Sequence, residues 1–414
     1  MIAQNIILPY DGTNASIPAG FTRDTSFDGK FVIHSNTGTG ATGGSNTHTH
    51  TSISHNHALN NHTHTISFGY YEEIGAGASE NHENPKRRHT HGSVITSSMS
   101  SANSSSNSFT TGSANNIPHN YAVIFIKSTG YNLLPANAIF YSSKTISGFS
   151  LCDGNGGTPN LNGRFLRGAG TGQNAGTFGG NNSHNHSANH SHTGANHNHT
   201  GTSGFYSGPK SKHGGADSGT GVYDHRHPFT TNGETASISS YSGSCSTATT
   251  QPPYYSLLTY KNMTGSAVAI KDGLIALTKE TTLPIGWILC DGNNGTPNLA
   301  SRFILSHSQA NLTGGNSSHT HSNLNHTHTS TPHNHGGTTN SVSSETYQAK
   351  QGSSWRGRSP HAHSLTSTSS VASYSNSNIS FNSSNSVPEY IEVKFIMATA
   401  QALGGTASII NNFI

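Results

Sequence analysis

The chain has 414 residues, of which only 30% are hydrophobic and 9% charged, against ~25% charged in ordinary soluble domains, so its composition argues against a conventional enzyme built around one large core. A formal charge of +3 provides neither the strong net charge of a disordered chain nor the basic face that nucleic acid requires, and the one dense cluster, Lys86, Arg87 and Arg88, follows Glu80 and Glu83. No apolar run approaches the ~18 residues of a membrane span, and the start MIAQNIILPYDG lacks a secretory signal's basic region, so synthesis in a cytoplasm without membrane insertion is expected.

In chain order, one plan repeats three times. Each copy opens with a short apolar strand, at Ile6, Ile139 and Ile275. A glycine-aromatic turn follows: IPAGF at 17–21, TISGFSLCDG at 145–154 and LPIGWILCDG at 283–292. TPNLNGRFLRG around Arg164 and Phe165 then matches TPNLASRFIL around Arg302 and Phe303, and FDGKFV places Lys30 and Phe31 in that role. A Gly-Gly pair leads into a long His-rich tract, and the copy closes on a proline and an apolar run beginning at Ile117, Gln251 or Val387. Landmarks recur every 133 to 138 residues, so a repeat architecture is expected. The domains read as 1–129, 130–265 and 266–399, with 400–414 as an extra C-terminal strand. The apolar strands lie at the two ends of each copy, which places a compact base under a polar excursion.

Twenty-four of the 29 histidines fall in twelve His-x-His pairs, four per copy. Copy one has His48/His50, His55/His57, His62/His64 and His89/His91; copy two His184/His186, His190/His192, His197/His199 and His225/His227; copy three His319/His321, His326/His328, His333/His335 and His361/His363. The gaps nearly repeat: seven, seven and twenty-seven residues, then six, seven and twenty-eight, then seven, seven and twenty-eight. One such pair is most simply a polar strand facing water, but twelve in phase are not. Residues i and i+2 of a strand share a face about 6.6 Å apart, so two imidazoles can bracket an ion, and three strands supply six nitrogens.

Six imidazoles in an octahedral shell favour Fe(II), about four ions per chain, with nickel or zinc as alternatives, since structural zinc is nearly always tetrahedral. The count predicts an all-β, fibrous fold in which the chain forms its own pseudo-trimer with an intertwined needle; a homotrimer of whole chains, or loose metal binding without common order, are the alternatives. An odd spacing of seven would turn alternate pairs off the axis of a flat strand, so a twist or a bulge is required, and the six-residue gap in copy two needs a local adjustment of its own.

Between the third and fourth pairs the character changes: Tyr70, Tyr71, Glu72 and Glu73 in copy one; Phe205, Tyr206, Lys210, Tyr223 and Asp224 in copy two; Tyr347, Lys350, Trp355, Arg356 and Arg358 in copy three. The expected path runs out through three pairs, around a tip and back through the fourth. The GFSLCDG and GWILCDG turns with TPNL and RF resemble the collar module of bacteriophage tail fibres and tail-collar proteins, and the phased His-x-His tracts resemble the iron-binding needle of long tail-fibre tips. The resemblance covers most of each copy and implies six histidines per iron and a distal tip that contacts a bacterial surface receptor. This chain departs from the family in carrying three copies in tandem, and copy one lacks the CDG segment.

The resemblance therefore implies a virion-associated or extracellular adhesin, made in the host cytoplasm, whose partner is a host surface glycan or outer-membrane receptor. Tyr70, Tyr71, Tyr206, Tyr223, Tyr347, Trp355, Arg356 and Arg358 are candidate receptor contacts, being of types favoured at binding surfaces. The competing reading is a self-assembling filament subunit that joins a fibre shaft or its own neighbours through 400–414. No catalytic residue is assigned: Cys152 and Cys290 match in position but copy one has no counterpart, GAGTG at 168–172 lacks a strand-to-helix setting, and six histidines on one ion leave no open position.

Overall fold

A computed structural model describes residues 4–35, 40–69, 71–72, 88–89, 91, 93–96, 103–130, 133–203, 226–322, 324–340, 349–351, 354–356, 362–368 and 371–400. The fold is almost entirely β, as expected, and no helix among the described residues is long and apolar enough to cross a membrane.

Three opening strands, Ile7–Tyr10, Ile139–Ser142 and Ile275–Thr278, lie at the centre, with every residue buried. That burial on both faces is why they read as continuous apolar runs and not as alternating ones. Each pairs antiparallel with the closing strand of its own copy, Asn120–Ser128, Tyr254–Lys261 or Tyr390–Ala398.

The closing strands then reach across copies. Asn120–Ser128 runs parallel to Arg164–Gly168 of copy two, Tyr254–Lys261 to Phe303–Ser306 of copy three, and Tyr390–Ala398 to Phe31–His34 of copy one. The registers are equivalent: Asn120 faces Phe165, Tyr254 faces Phe303 and Tyr390 faces Phe31. This cyclic exchange closes the fifteen-stranded sheet on itself as a barrel, and the buried rings of Phe31, Phe165 and Phe303 pack together with Leu305 at its head.

Two turns and one crossing explain the glycines of the repeat. Phe21 and Trp287 donate backbone bonds to Pro18 and Pro284 at 3.1 Å, with Gly20 and Gly286 at φ 84° and 83° between them, the geometry of a type II turn. At the Gly-Gly pair, Gly44, Gly180 and Gly315 have φ of 74°, 71° and 71°, and an added Cβ would lie 2.0, 1.9 and 2.0 Å from the carbonyl oxygens of Pro388, Pro118 and Pro252. Each of those prolines belongs to the preceding copy in the cycle, so the glycines let neighbouring copies cross where the polar excursion begins.

In the excursion, each outward chain pairs with its own return chain: His48 with Ala114, His184 with Ala248 and His319 with Ser384. Return chains also bond to the next copy's outward chain, as Gly112 does to Ser187 at 3.0 Å. Farther out, six strands alternate outward and return in the order Thr200–Thr202, Pro228–Thr231, Gly336–Thr339, Ser364–Ser367, His64–Phe68 and Val94–Thr96.

The six-residue gap is absorbed locally. From Thr51↔Thr110 to His55↔Asn107 the outward chain advances four residues and the return chain three, whereas from Ser187↔Ser244 to His190↔Tyr241 both advance three. Copy two omits the bulge residue that copy one inserts, and its return chain is unchanged.

Gly180→Ala should be strongly destabilising, by about 3 kcal/mol or more, because it meets both a left-handed φ and a carbonyl. Gly156→Ala, at φ 57° with open space around it, should cost only about 1 kcal/mol of left-handed strain. Denaturant melts of the two variants check the difference, and equal losses would remove the crossing argument.

Candidate metal centre

The outward chains bring the histidines to the axis in sets. The first set, His48, His50, His184, His186, His319 and His321, has six ligand nitrogens all within 4.8 Å of one another. The Nε2 atoms of His48, His184 and His319 form one triangular face with edges of 3.1, 3.1 and 3.2 Å. Edges to the other face are alike, 3.2 Å from His50 to His319 and 3.1 Å from His186 to His48. An octahedron with edges of that length has its centre about 2.2 Å from each corner, a reasonable metal–imidazole distance.

The Nδ1 atoms explain the orientation. In eight of the nine outward pairs the second histidine donates from Nδ1 to a carbonyl on the return chain of the preceding copy: His50 to Asn382 (2.7 Å), His57 to Ser375 (2.7 Å) and His64 to Thr368 (2.9 Å). His186 and His192 reach Gly112 and Ser105 at 2.6 and 2.9 Å. His321, His328 and His335 reach Ser246, Ser239 and Asn232. A carbonyl only accepts, so each Nδ1 carries the proton and each Nε2 presents a lone pair to the axis. In the third set both partners of each contact are of this kind, since His62, His197 and His333 also hold Nδ1 on carbonyls; their Nε2 atoms, 3.1 to 3.2 Å apart, meet lone pair to lone pair and fit a shared cation. The buried Nε2 atoms of His64, His321, His328 and His335 have no hydrogen-bond partner among the described residues, which suits ligand atoms.

The other sets are less compact. In the second, His55, His190, His192 and His326 form one group and His57, His192, His326 and His328 another, with Nε2 contacts of 3.0 to 3.2 Å. His190 lies flat on Phe109, ring centroids 4.5 Å apart, which accompanies the shortened gap. In the third, His62, His64, His197, His199 and His335 group together, and His333 joins through His197 at 3.1 Å. In the fourth, His91, His227 and His363 meet with centroids 4.8 to 5.0 Å apart. His89 lies in the two-residue strand Arg88–His89, while His225 and His361 lie outside the described residues.

Small apolar layers separate the sets. Phe109, Ala188, Cys245, Leu324, Ile379 and Phe381 lie between the first and second; Leu59, Ile238, Ala372 and Tyr374 between the second and third; and Ile66, Phe68, Val94, Phe229 and Leu365 beyond the third. The cysteines are free and buried, and burial pushes the Cys152 thiol up to about 12, which keeps it protonated and inert.

The receptor candidates are only partly placed. Trp355 and Arg356 sit in Ser354–Arg356, paired with Ala349–Gln351, and Tyr71 in Tyr71–Glu72, paired with Arg88–His89. Tyr70, Tyr206, Tyr223, Tyr347 and Arg358 lie outside the described residues, as do 401–414. The carbonyl acceptors of the return chains were not foreseeable, because a backbone oxygen has no residue-type signature. Compared with family models, curated proteins and solved structures, the chain matches none of them.

Burial, with repulsion between neighbouring imidazoles adding to it, lowers His48, His184, His199 and His326 to about 3 and His55, His197, His319 and His328 to about 4. The unfolded chain takes up these protons near pH ~6.5, so stability is full above that value and falls as pH drops toward the folded values. Thermal melts should be flat above about pH 7 and decline steadily to about pH 4; an unchanged melting temperature across that span contradicts the buried-imidazole arrangement.

Proposed function

We propose that the protein is a tail-fibre-like adhesin: a collar-like base carrying a needle pinned by octahedral metal sites, with a distal tip that binds a host surface glycan or outer-membrane receptor. The observation that carries this reading is the stack of inward-facing histidine sets along a polar stem assembled by cyclic exchange among three copies. Such a stem has structural ligand shells and no open position, which suits rigidity and not catalysis. The ion is Fe(II) by the octahedral argument, about four per chain when the fourth set is complete.

The single chain supplies what three separate chains supply in the resembling fibres, and covalent linkage lets each copy present a different segment at the tip. Tyr71, Trp355 and Arg356, with the other aromatic and arginine residues between the third and fourth pairs, are the assigned contacts. The setting is a virion or extracellular surface.

Elemental analysis of purified protein should find about four transition-metal ions per chain, mostly iron, and a strong chelator should lower its melting temperature. Protein that contains no metal and takes up none would sink the pinned-needle reading. Labelled full-length protein should adsorb to susceptible bacterial cells, and Trp355→Ala with Arg356→Ala should reduce adsorption at least about tenfold while metal content and melting stay unchanged. Retained adsorption would assign these residues to tip packing.

A further inference from the structure

We infer that the proximal ring, His48, His50, His184, His186, His319 and His321, exchanges its ion ahead of the rings beyond it, and is where metal enters and leaves the stem. This rests on the metal-pinned reading above. Two features coincide only in this ring among the first three.

The first is access. His48, His184 and His319, one from each pair, are only half-buried, whereas all six histidines of the second ring are buried and His333 alone is half-buried in the third. One complete triangular face of the proximal octahedron is therefore built from histidines that keep some exposure to solvent. No such face is open in the second or third ring.

The second is support behind the ligands. His319 hydrogen-bonds through Nδ1 to the Ser386 hydroxyl at 2.8 Å. The ladders place Asn116 and Thr250 at the equivalent positions, two residues beyond the partners of His48 and His184. Neither side chain turns to its histidine. The Asn116 amide donates to the carbonyls of Ser45 and Asn385 at 3.2 Å, and the Thr250 hydroxyl to that of Asn181 at 2.5 Å. The Nδ1 atoms of His48 and His184 are buried with no partner among the described residues.

The second ring shares this feature, since the Nδ1 atoms of His55 and His326 also have no partner among the described residues while His190 reaches the Ala188 carbonyl at 3.0 Å; in the third ring His62, His197 and His333 all have Nδ1 on a carbonyl two residues back, those of Asn60, Ala195 and Thr331. A partner on the outer nitrogen holds the ring in place and raises its basicity, and its loss typically weakens a metal site 10- to 100-fold. The compact first shell of the proximal ring therefore captures an ion readily, while two unsupported ligands on a partly exposed face, a combination that neither the second nor the third ring has, let the ion go. Ser386 is a positioning residue that acts through His319.

The test uses the full chain in its metal-loaded state, with iron content measured first, and follows release to a chromogenic Fe(II) chelator. A fast phase of about one ion per chain is expected, with slower phases for the rest. His319→Ala should remove that phase alone and lower the content by about one ion. Ser386→Ala should speed the fast phase about tenfold and Ser386→Thr should leave it near the parent rate. Asn116→Ser, which offers His48 the hydroxyl that His319 already has, should slow it.

Release in a single phase, a fast phase that survives His319→Ala, or one indifferent to both Ser386→Ala and Asn116→Ser would overturn the inference. Should Asn116→Ser fail to fold, the comparison of Ser386→Ala with Ser386→Thr decides alone. Protein that never holds iron would strike the metal reading itself, whereas loaded protein with uniform release strikes only the order of exchange.

Discussion

The structure depends on an imidazole used at both ends. Nε2 faces the axis as a lone pair and Nδ1–H is bound to a carbonyl of the preceding copy, as in His186 to Gly112 and His50 to Asn382. Each second histidine bound in this way links the axis to two copies at once. Buried polar groups without partners cost roughly 1–3 kcal/mol each, a cost that a cation held between inward-facing lone pairs would offset. The same geometry makes the copies interdependent: moving one return chain by one residue withdraws the carbonyl behind a neighbour's ligand.

The base sets the phase that this requires. Its closing strands enter the next copy's sheet in one shared register, and the glycine crossings release all three excursions at the same height. Backbone pairing alone leaves the three junctions equivalent, but their side chains do not. Asp11 pairs with Lys261 across copies one and two at 2.7 Å, Lys144 with Asp272 across two and three at 2.9 Å, and Lys279 with Asp24 across three and one at 2.7 Å. The exposed Lys144–Asp272 pair contributes little to stability. The buried Asp11–Lys261 pair is better regarded as a marker of which copy follows which.

Much of this was legible in the sequence because it was written in side chains. Histidine spacing reports ligand phase directly, and the equivalence of Phe31, Phe165 and Phe303 reports a shared central position. The cyclic exchange was not legible, since it is carried by backbone pairing between strands that are far apart in the chain. Nor was the bulge arithmetic between Thr51 and His55: an odd gap announces that a residue is inserted, but not on which strand. The apolar layers were overlooked for a different reason. Leu59, Ile238 and Tyr374 are isolated apolar residues in polar tracts, and only the three-dimensional assembly of different copies turns them into a core. Histidine therefore does not simply replace a hydrophobic core in the stem; it alternates with one.

That alternation bears on how the stem tolerates charge. A divalent ion in a shell of neutral imidazoles would keep its full charge, and outside the tip segments the excursions carry one carboxylate, Glu234, which only partly offsets the downward shift that burial imposes on His333 and His335. The charge of such an ion would be dispersed outward through Nδ1–H bonds onto carbonyl oxygens, each of which gains electrostatic strength in a low-dielectric surrounding. Repulsion between successive ions would grow as the medium between them loses polarity, so dry layers such as Leu59, Ile238, Ala372 and Tyr374 would have to keep bound ions apart by distance. A spacing of about seven residues per ring serves both needs: it leaves room for one apolar layer between ligand sets, and each outward strand can supply both histidines of a pair to one ion before the next layer begins.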